Sequence, residues 1–216
     1  MTKKLMFLQI FHKNLVAAIT NNYIRLAATV IFLLANGSME VLTQNKDAKI
    51  LIVYYSWSGN TKMMANEIKS IVGGDMFEII PVEPYPDDYK MCVEQAIREM
   101  NKKFRPKIVG TVKDFKKYDI IFVGSPNWLR TIAPPVATFL TEYDFSNKTV
   151  IPFCTHGGGG KENVFTDMEK MLPNSKVLKG LEVYCKYEGG LPVMGGSSYN
   201  SKDAVEKWLR SIGILK

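Results

Sequence analysis

Residues 49–61 read KILIVYYSWSGNT. The first part of this stretch, residues 50–55, is an unbroken apolar run rich in β-branched and aromatic side chains, which is typical of a strand buried on both faces of a parallel sheet. A short polar segment follows, and a helical pattern begins at Thr61. The stretch therefore predicts a central strand, a small loop and the start of a helix.

The loop SWSGNT, residues 56–61, concentrates groups that can bind an anion. Five of its positions carry a hydroxyl, an amide or a flexible backbone: Ser56, Ser58, Gly59, Asn60 and Thr61. A helix N-terminus leaves backbone N–H groups unpaired and carries a partial positive charge, so it can bind a phosphate without Lys or Arg. The alternative is that Ser58 or Asn60 only caps the helix. Neither GxGxxG nor GxxxxGK[ST] spans this turn, so the pattern favours a phosphate from another kind of ligand.

The rest of the chain alternates strands with helices. Further strands are predicted at residues 76–81, 118–124, 149–154 and 176–186, and helices at 61–72, 89–103, 134–143, 162–171 and 201–209. This alternation is typical of an α/β domain with a parallel sheet and helices on both faces. The segments after the first, third and fourth strands, residues 56–61, 125–130 and 155–160, should then meet at one edge of the sheet.

Residues 1–48 differ from the domain, which we expect to begin near Lys49 and to extend to residue 216. They contain basic residues, a first apolar patch at 5–11, a second apolar run at 26–35 and small residues at 36–38. The second run is shorter than the roughly 20 residues that span a bilayer. Three interpretations stay open: a signal peptide cleaved near residue 37, an amphipathic membrane anchor, or an upstream start that is not used. The chain has no twin-Arg pair, and we expect a cytoplasmic location, with export or membrane association through residues 1–38 as alternatives.

The charge distribution argues against nucleic-acid binding. The formal net charge is +7, but residues 1–38 contain four basic residues and no acidic one. The other 24 basic residues and the 21 acidic ones leave only +3 for the remainder. Basic runs with interleaved aromatic residues are lacking, so no nucleic-acid partner is predicted.

Three cysteines, Cys92, Cys154 and Cys185, are too few and too scattered for a disulfide framework or a zinc site. We predict buried thiols and no metal site. The alternative for Cys154 is a nucleophile, for which His156 is the only basic partner nearby in the sequence.

The loop SWSGNT resembles the first FMN loop of the flavodoxin family, which has the form [ST]-x-[ST]-G-N-T. The resemblance extends over residues 49–215 to a flavodoxin-like subfamily of small bacterial FMN proteins. It is carried by PYP-x-x-Y at residues 84–89, RP-x-I at 105–108, G-x-P-x-W at 124–128, PPV-x-TFL at 134–140 and IPFCTHGG at 151–158.

The resemblance implies a doubly wound sheet of five parallel strands in the order 2-1-3-4-5, and noncovalent FMN. The first loop would bind the phosphate, Trp128 would stack on the flavin ring, and the glycine-rich third loop would donate backbone N–H groups. The implied cofactor-binding residues are Ser56, Trp57, Ser58, Gly59, Asn60, Thr61, Pro126, Asn127, Trp128, Thr155, His156, Gly157 and Gly158. Trp128 could instead pack back onto the protein, and His156 is either an ordinary loop residue or one that influences flavin charge or donates a proton.

The expected function is an FMN-dependent oxidoreductase that passes electrons from NAD(P)H or a protein donor to a quinone-like acceptor or a redox protein. Alternatives are an electron carrier without substrate turnover, and an interaction or membrane-surface protein without cofactor.

The subfamily usually has an aromatic residue and a glycine after the tryptophan that corresponds to Trp128, where the chain has Leu129 and Arg130. Loss of a glycine near flavin N5 argues against a low-potential one-electron shuttle. Arg130 would favour an anionic reduced flavin or an incoming phosphate, or is simply solvated; it and His156 are the catalytic candidates.

Overall fold

The computed structural model describes residues 48–188, 191–194 and 201–216. Contacts divide the chain into two units, Met1–Thr43 and Gln44–Lys216, and the description below concerns the second. The interpretations of the N-terminal segment lie outside the described residues. Within the described ranges, no helix is both long enough and apolar enough to cross a membrane.

The strands form one mainly parallel sheet. They are β1 (Ile50–Tyr54), β2 (Asp75–Glu78), β3 (Ile120–Trp128), β4 (Thr131–Ile132), β5 (Thr149–His156), β6 (Lys176–Val177), β7 (Leu181–Glu188) and β8 (Leu191–Met194). The order along the sheet is β2-β1-β3-β5-β7-β8, and the pairs from β2 to β7 are parallel. These five strands confirm the predicted order 2-1-3-4-5. The short strand β6 extends the fifth position alongside β5, and β4 and β8 are antiparallel additions to β3 and β7.

Helices cover both faces of the sheet, as predicted. They are α1 (Asn60–Val72), α2 (Tyr89–Asn101), α3 (Pro134–Glu142), α4 (Val164–Met171) and α5 (Ser201–Ser211), with a 3₁₀ turn at Phe115–Lys117. Buried side chains of α2, α3 and α4 belong to one core, and those of α1 and α5 to the other. Along β1, Leu51 and Val53 enter the first core, whereas Ile52 and Tyr54 enter the second. The strand is therefore buried on both sides.

The second predicted loop is a β-hairpin, which corrects the expectation that the strand ends at Gly124. Strand β3 continues to Trp128 and pairs with β4 through Asn127↔Ile132 and Trp128↔Thr131. Leu129 and Arg130 form the two-residue turn, with φ of 49° and 75°. Such turns are usually marked by Asn or Gly because both central residues need positive φ. Leu-Arg carries no such signal, so the hairpin was missed.

The fifth parallel strand, predicted as continuous over residues 176–186, is divided into β6 and β7. The break lies opposite Ile151 and Pro152, which have no register partner in the fifth strand. A proline in the middle of a strand has no N–H to donate, so a ladder is readily interrupted there. Gly180 lies at the break, where a Cβ atom would come within 2.8 Å of the Pro152 carbonyl oxygen. Beyond β7 the predicted glycine-rich excursion contains the additional strand β8.

We expect Arg130→Gly to be more stable than Arg130→Ala by about 1 kcal/mol, because only glycine adopts positive φ without a steric penalty. Both variants remove the same exposed ion pair with Glu162, so their difference isolates the backbone. Urea unfolding of the two variants measures it. Equal stabilities would show that the turn is unstrained.

Candidate functional site

A cleft with a volume of about 350 Å³ lies at the carboxyl ends of the central strands. This is the position where ligands bind in open α/β sheets, at the point where the strand order reverses. The segments after β1 and β5 and the end of β3 all contribute to it, together with α2 and β7. Its lining residues are Trp57, Ser58, Asn60, Tyr89, Cys92, Val93, Ala96, Pro126, Asn127, Trp128, Leu129, Thr155, His156, Gly157 and Cys185.

The structure thus brings the three predicted segments together. Nine of the thirteen predicted cofactor residues line the cleft, and four lie beside it without lining it: Ser56, Gly59, Thr61 and Gly158. Arg130 does not line the cleft either; its Nε lies 3.2 Å from Glu162 Oε2, and its side chain is 77% exposed.

The N-terminus of α1 has no side-chain cap. The N-cap residue is Gly59, with φ of 90°, and it makes no side-chain cap hydrogen bond. Asn60 Nδ2 instead donates to Ser58 Oγ at 3.2 Å. The N-cap position is thus occupied by Gly59 and not by Ser58 or Asn60, and a helix start of this kind can offer backbone N–H groups to an anion.

Thr61 joins the first and third segments beneath the cleft. Its hydroxyl lies 2.8 Å from the hydroxyl of Thr155, and both residues are buried. Each buried hydroxyl thereby has a hydrogen-bond partner, and the contact links the start of α1 to the end of β5.

Three buried side-chain oxygens in this region have no hydrogen-bond partner among the described residues: Ser56 Oγ, Asn60 Oδ1 and Asn127 Oδ1. Asn127 is nevertheless well anchored, because its Nδ2 donates to the Gly160 carbonyl at 2.6 Å. Buried polar atoms in folded proteins are normally paired. Oxygens of this kind, two of them on cleft-lining residues, fit a site that receives a polar ligand.

Trp128 both packs on the protein and lines the cleft, so its two predicted roles are not exclusive. Its ring makes edge contacts with Tyr55 and Tyr85, at centroid distances of 5.5 Å and 4.9 Å. Tyr85 is fixed in turn, because its hydroxyl donates to the buried carboxylate of Glu99. Gln95 Nε2 donates to the other oxygen of Glu99 at 2.9 Å. Burial, together with the neighbouring Glu99, raises the pKa of Tyr85 far above its ordinary value, so the phenol stays protonated and keeps donating.

His156 organises the glycine segment. Its Nδ1 accepts hydrogen bonds from the backbone N–H groups of Gly158 at 3.2 Å and Gly160 at 3.1 Å. In the neutral ring the proton is therefore on Nε2. Burial lowers the pKa of His156, with Glu182 acting in the opposite direction. At neutral pH the residue is an uncharged N–H donor at the edge of the cleft.

The cysteines of the chain are free and buried, as predicted. Burial raises the pKa of the Cys154 thiol to about 12, so at neutral pH the thiol is protonated and a nucleophilic role is not favoured. Cys92 and Cys185 line the cleft, and burial raises the pKa of each to about 11. They contribute small apolar surface. Among the described residues, no group of His, Cys, Asp or Glu is arranged to bind a metal ion.

Sequence reasoning missed the contribution of α2. Tyr89, Cys92, Val93 and Ala96 line the cleft, at the i, i+3, i+4, i+7 spacing that places residues on one face of a helix. The spacing is visible in the sequence, but it predicts only an apolar helix face. Nothing local distinguishes a helix face that packs on a sheet from one that forms the wall of a cleft.

Comparison with known proteins agrees with this geometry. The family model described as Flavodoxin matches residues 49–188, well over half of the chain. The chain belongs to the flavodoxin family.

Related proteins include structures and a named enzyme. A solved structure from Bacteroides eggerthii, provisionally described as a flavoprotein, is 29% identical with a TM-score of 0.64 and covers 76% of this chain and 98% of its own. A flavoprotein from Lactobacillus acidophilus in complex with FMN is 28% identical with a TM-score of 0.56, over 62% of this chain and 92% of its own. A protein of Azorhizobium caulinodans named NAD(P)H dehydrogenase (quinone) is 27% identical over 172 residues, 71% of this chain and 81% of the relative.

We expect Tyr85→Phe to lower the free energy of unfolding by about 2 kcal/mol, because it leaves a buried Glu99 oxygen without its donor. Tyr118→Phe is the matched control. It removes a hydrogen bond of 2.6 Å to Asp75, whose side chain is 62% exposed, so water can replace the donor and the loss should be clearly smaller. Equal losses of unfolding free energy in the two variants, measured by urea unfolding, would show that the Tyr85–Glu99 hydrogen bond stabilises the protein no more than the exposed one.

His156 should make stability depend on pH. Because burial lowers its pKa below 6.5, the unfolded chain takes up a proton first as the pH falls through that value. The contribution of His156 is therefore complete above about pH 6.5 and is lost below it. The measured quantity is the free energy of unfolding of the wild type minus that of His156→Gln. This difference should be constant between pH 7 and 9. At pH 5 it should be shifted in the direction that disfavours the wild type. A constant difference over the whole range would contradict this.

Proposed function

We propose that the protein binds FMN in this cleft and uses it to transfer electrons from NAD(P)H to a small acceptor. The observation that carries the proposal is the N-terminus of α1, with glycine at the N-cap position, beside a cleft bordered by aromatic rings. A helix start of this kind stabilises a negative charge by about 0.3–1 kcal/mol at exposed sites and by more when partly buried. The flavoprotein of Lactobacillus acidophilus, a structural relative in complex with FMN, supports the same assignment.

The residues present fit the cofactor. The first turn of α1, with Ser58 and Asn60, would bind the phosphate. The isoalloxazine would pack against the rings of Trp57 and Trp128. Its polar edge would form hydrogen bonds with Asn127, His156 and Gly157. Bound FMN would supply the chemistry by accepting two electrons from a donor and releasing them to an acceptor. The protein contributes binding, orientation and exclusion of water.

The name of the Azorhizobium caulinodans relative, NAD(P)H dehydrogenase (quinone), supports a nicotinamide donor and a quinone-like acceptor. In that reaction NAD(P)H and one proton reduce the quinone to a hydroquinone, which balances as two electrons and two protons. An electron carrier with no substrate of its own is the competing function. The Leu129–Arg130 turn, which has non-glycine residues at both of its positive-φ positions, favours the enzyme, since a carrier of the flavodoxin type would be expected to have a glycine there.

We expect Asn60→Asp to weaken FMN binding at least about tenfold, because a carboxylate at the phosphate position repels the ligand. Because the substitution also removes the Nδ2 that donates to Ser58 Oγ, urea unfolding of the variant is measured beside the titration to separate weaker binding from loss of the fold. Asn66→Asp is the matched control, since it adds the same charge at an exposed position farther along α1. Quenching of flavin fluorescence during titration of the FMN-free protein gives both affinities.

Two results would decide against the proposal. An unchanged FMN affinity in Asn60→Asp would refute the assignment of the phosphate to the start of α1. A wild-type protein that binds no FMN would refute the assignment of the cofactor. With FMN bound, NAD(P)H consumption in the presence of a quinone and no other protein distinguishes the enzyme from the carrier. A carrier would turn over only with a partner reductase.

A further inference from the structure

We infer that one face of α2 is the binding surface for the electron acceptor, and that this acceptor is a neutral, flat, conjugated molecule of the quinone class. We call this face the α2 wall and define it as Tyr89, Cys92, Val93 and Ala96. The inference rests on the proposed function, because it assigns the acceptor side of the same cleft. It adds a surface and a selectivity that the proposed function does not contain.

The first argument is the division of the cleft. The segments after β1 and β5 and the end of β3 supply its hydrogen-bonding groups, such as Ser58, Asn127 and His156. The α2 wall supplies only two hydrogen-bonding groups, the phenol of Tyr89 and the weakly polar thiol of Cys92. A flavin needs polar partners for its phosphate and ring edge, and these lie on the polar side. The apolar side is left for the second reactant.

The second argument is charge. Among the described residues that line the cleft, none is Lys, Arg, Asp or Glu. The positive end of α1 is assigned to the FMN phosphate, so a charged acceptor would lose hydration without meeting a counter-ion, which is costly in a partly enclosed apolar site. A neutral ring loses little hydration and gains apolar contact with Val93 and Ala96.

The third argument is the exposed apolar surface at the mouth of the cleft. Tyr89 is 72% exposed and Leu129 is 44% exposed, although both are large and apolar and both line the cleft. The Tyr89 ring lies beside that of Trp57, with centroids 6.3 Å apart. Exposed apolar patches at a concave site commonly mark ligand binding.

The test changes the charge of the wall. Val93→Asp and Val93→Lys place opposite charges on it, and Ile97→Asp is the matched control one turn farther along α2. Ile97 is 41% exposed and does not line the cleft. Each variant, loaded with FMN, is titrated with 2-naphthol, a neutral aromatic probe, and binding is followed by calorimetry and by the visible spectrum of the flavin. Turnover with NAD(P)H is then compared for menadione and for the anionic 1,2-naphthoquinone-4-sulfonate.

The wild type should bind 2-naphthol and prefer menadione over the sulfonate. Val93→Asp should weaken naphthol binding and lower kcat/KM for menadione by about tenfold or more, with little change in FMN affinity. Val93→Lys should shift the preference toward the sulfonate. Ile97→Asp should behave as the wild type in every measurement.

The outcomes separate this inference from the function on which it rests. If the wild type fails to bind FMN, the proposed function and the acceptor surface both fall. If FMN binds normally and the Val93 variants keep the wild-type selectivity and naphthol affinity, only the α2 wall is refuted. If Val93→Asp loses FMN affinity while selectivity among acceptors is unchanged, the wall contacts the cofactor, and the inference is wrong.

Discussion

Burial of β1 on both faces is the constraint on which the rest of the structure depends. Its side chains enter two separate cores in alternation, and its backbone pairs with β2 on one side and β3 on the other. A strand enclosed in this way has little freedom in register or direction, since a shift of one residue would exchange its two sets of side chains. The position where β1 ends, and where α1 begins, is therefore set by the cores and not by the loop between them.

The cleft is built with uncharged contacts between segments that are distant in sequence. The Thr61–Thr155 hydroxyl pair joins the start of α1 to β5, Asn127 binds the Gly160 carbonyl, and His156 accepts two backbone N–H groups of its own segment. Because these supports carry no net charge, the main electrostatic feature directed at the cleft is the positive end of α1. This agrees with a site that binds a phosphate through backbone groups and leaves a neutral surface beside it.

The hairpin of β3 and β4 places Trp128 at the mouth of this cleft. Its Leu129–Arg130 turn has positive φ at both positions, and the Arg130 carbonyl accepts from the Asn163 N–H at 3.1 Å while its side chain pairs with Glu162. On the other side, Tyr55 and Tyr85 contact the indole, and Glu99 fixes Tyr85. Trp128 is thus supported by the backbone of one element and the side chains of two others. A ring held in this way needs little reordering when a ligand arrives.

The sequence by itself determined the parallel sheet, the helices on both faces, the family and the three segments that meet at one edge, because apolar periodicity and the SWSGNT loop are local signals. Only the tertiary structure decided the rest. The hairpin was hidden because Leu129 and Arg130 are unusual turn residues, and the divided fifth strand depends on Pro152 in a neighbouring strand. The α2 wall could not be recognised because a helical apolar stripe has the same pattern whether it covers a sheet or borders a cleft. Which of the two occurs depends on the position of the helix relative to the sheet, and that position is set by contacts between residues far apart in the chain.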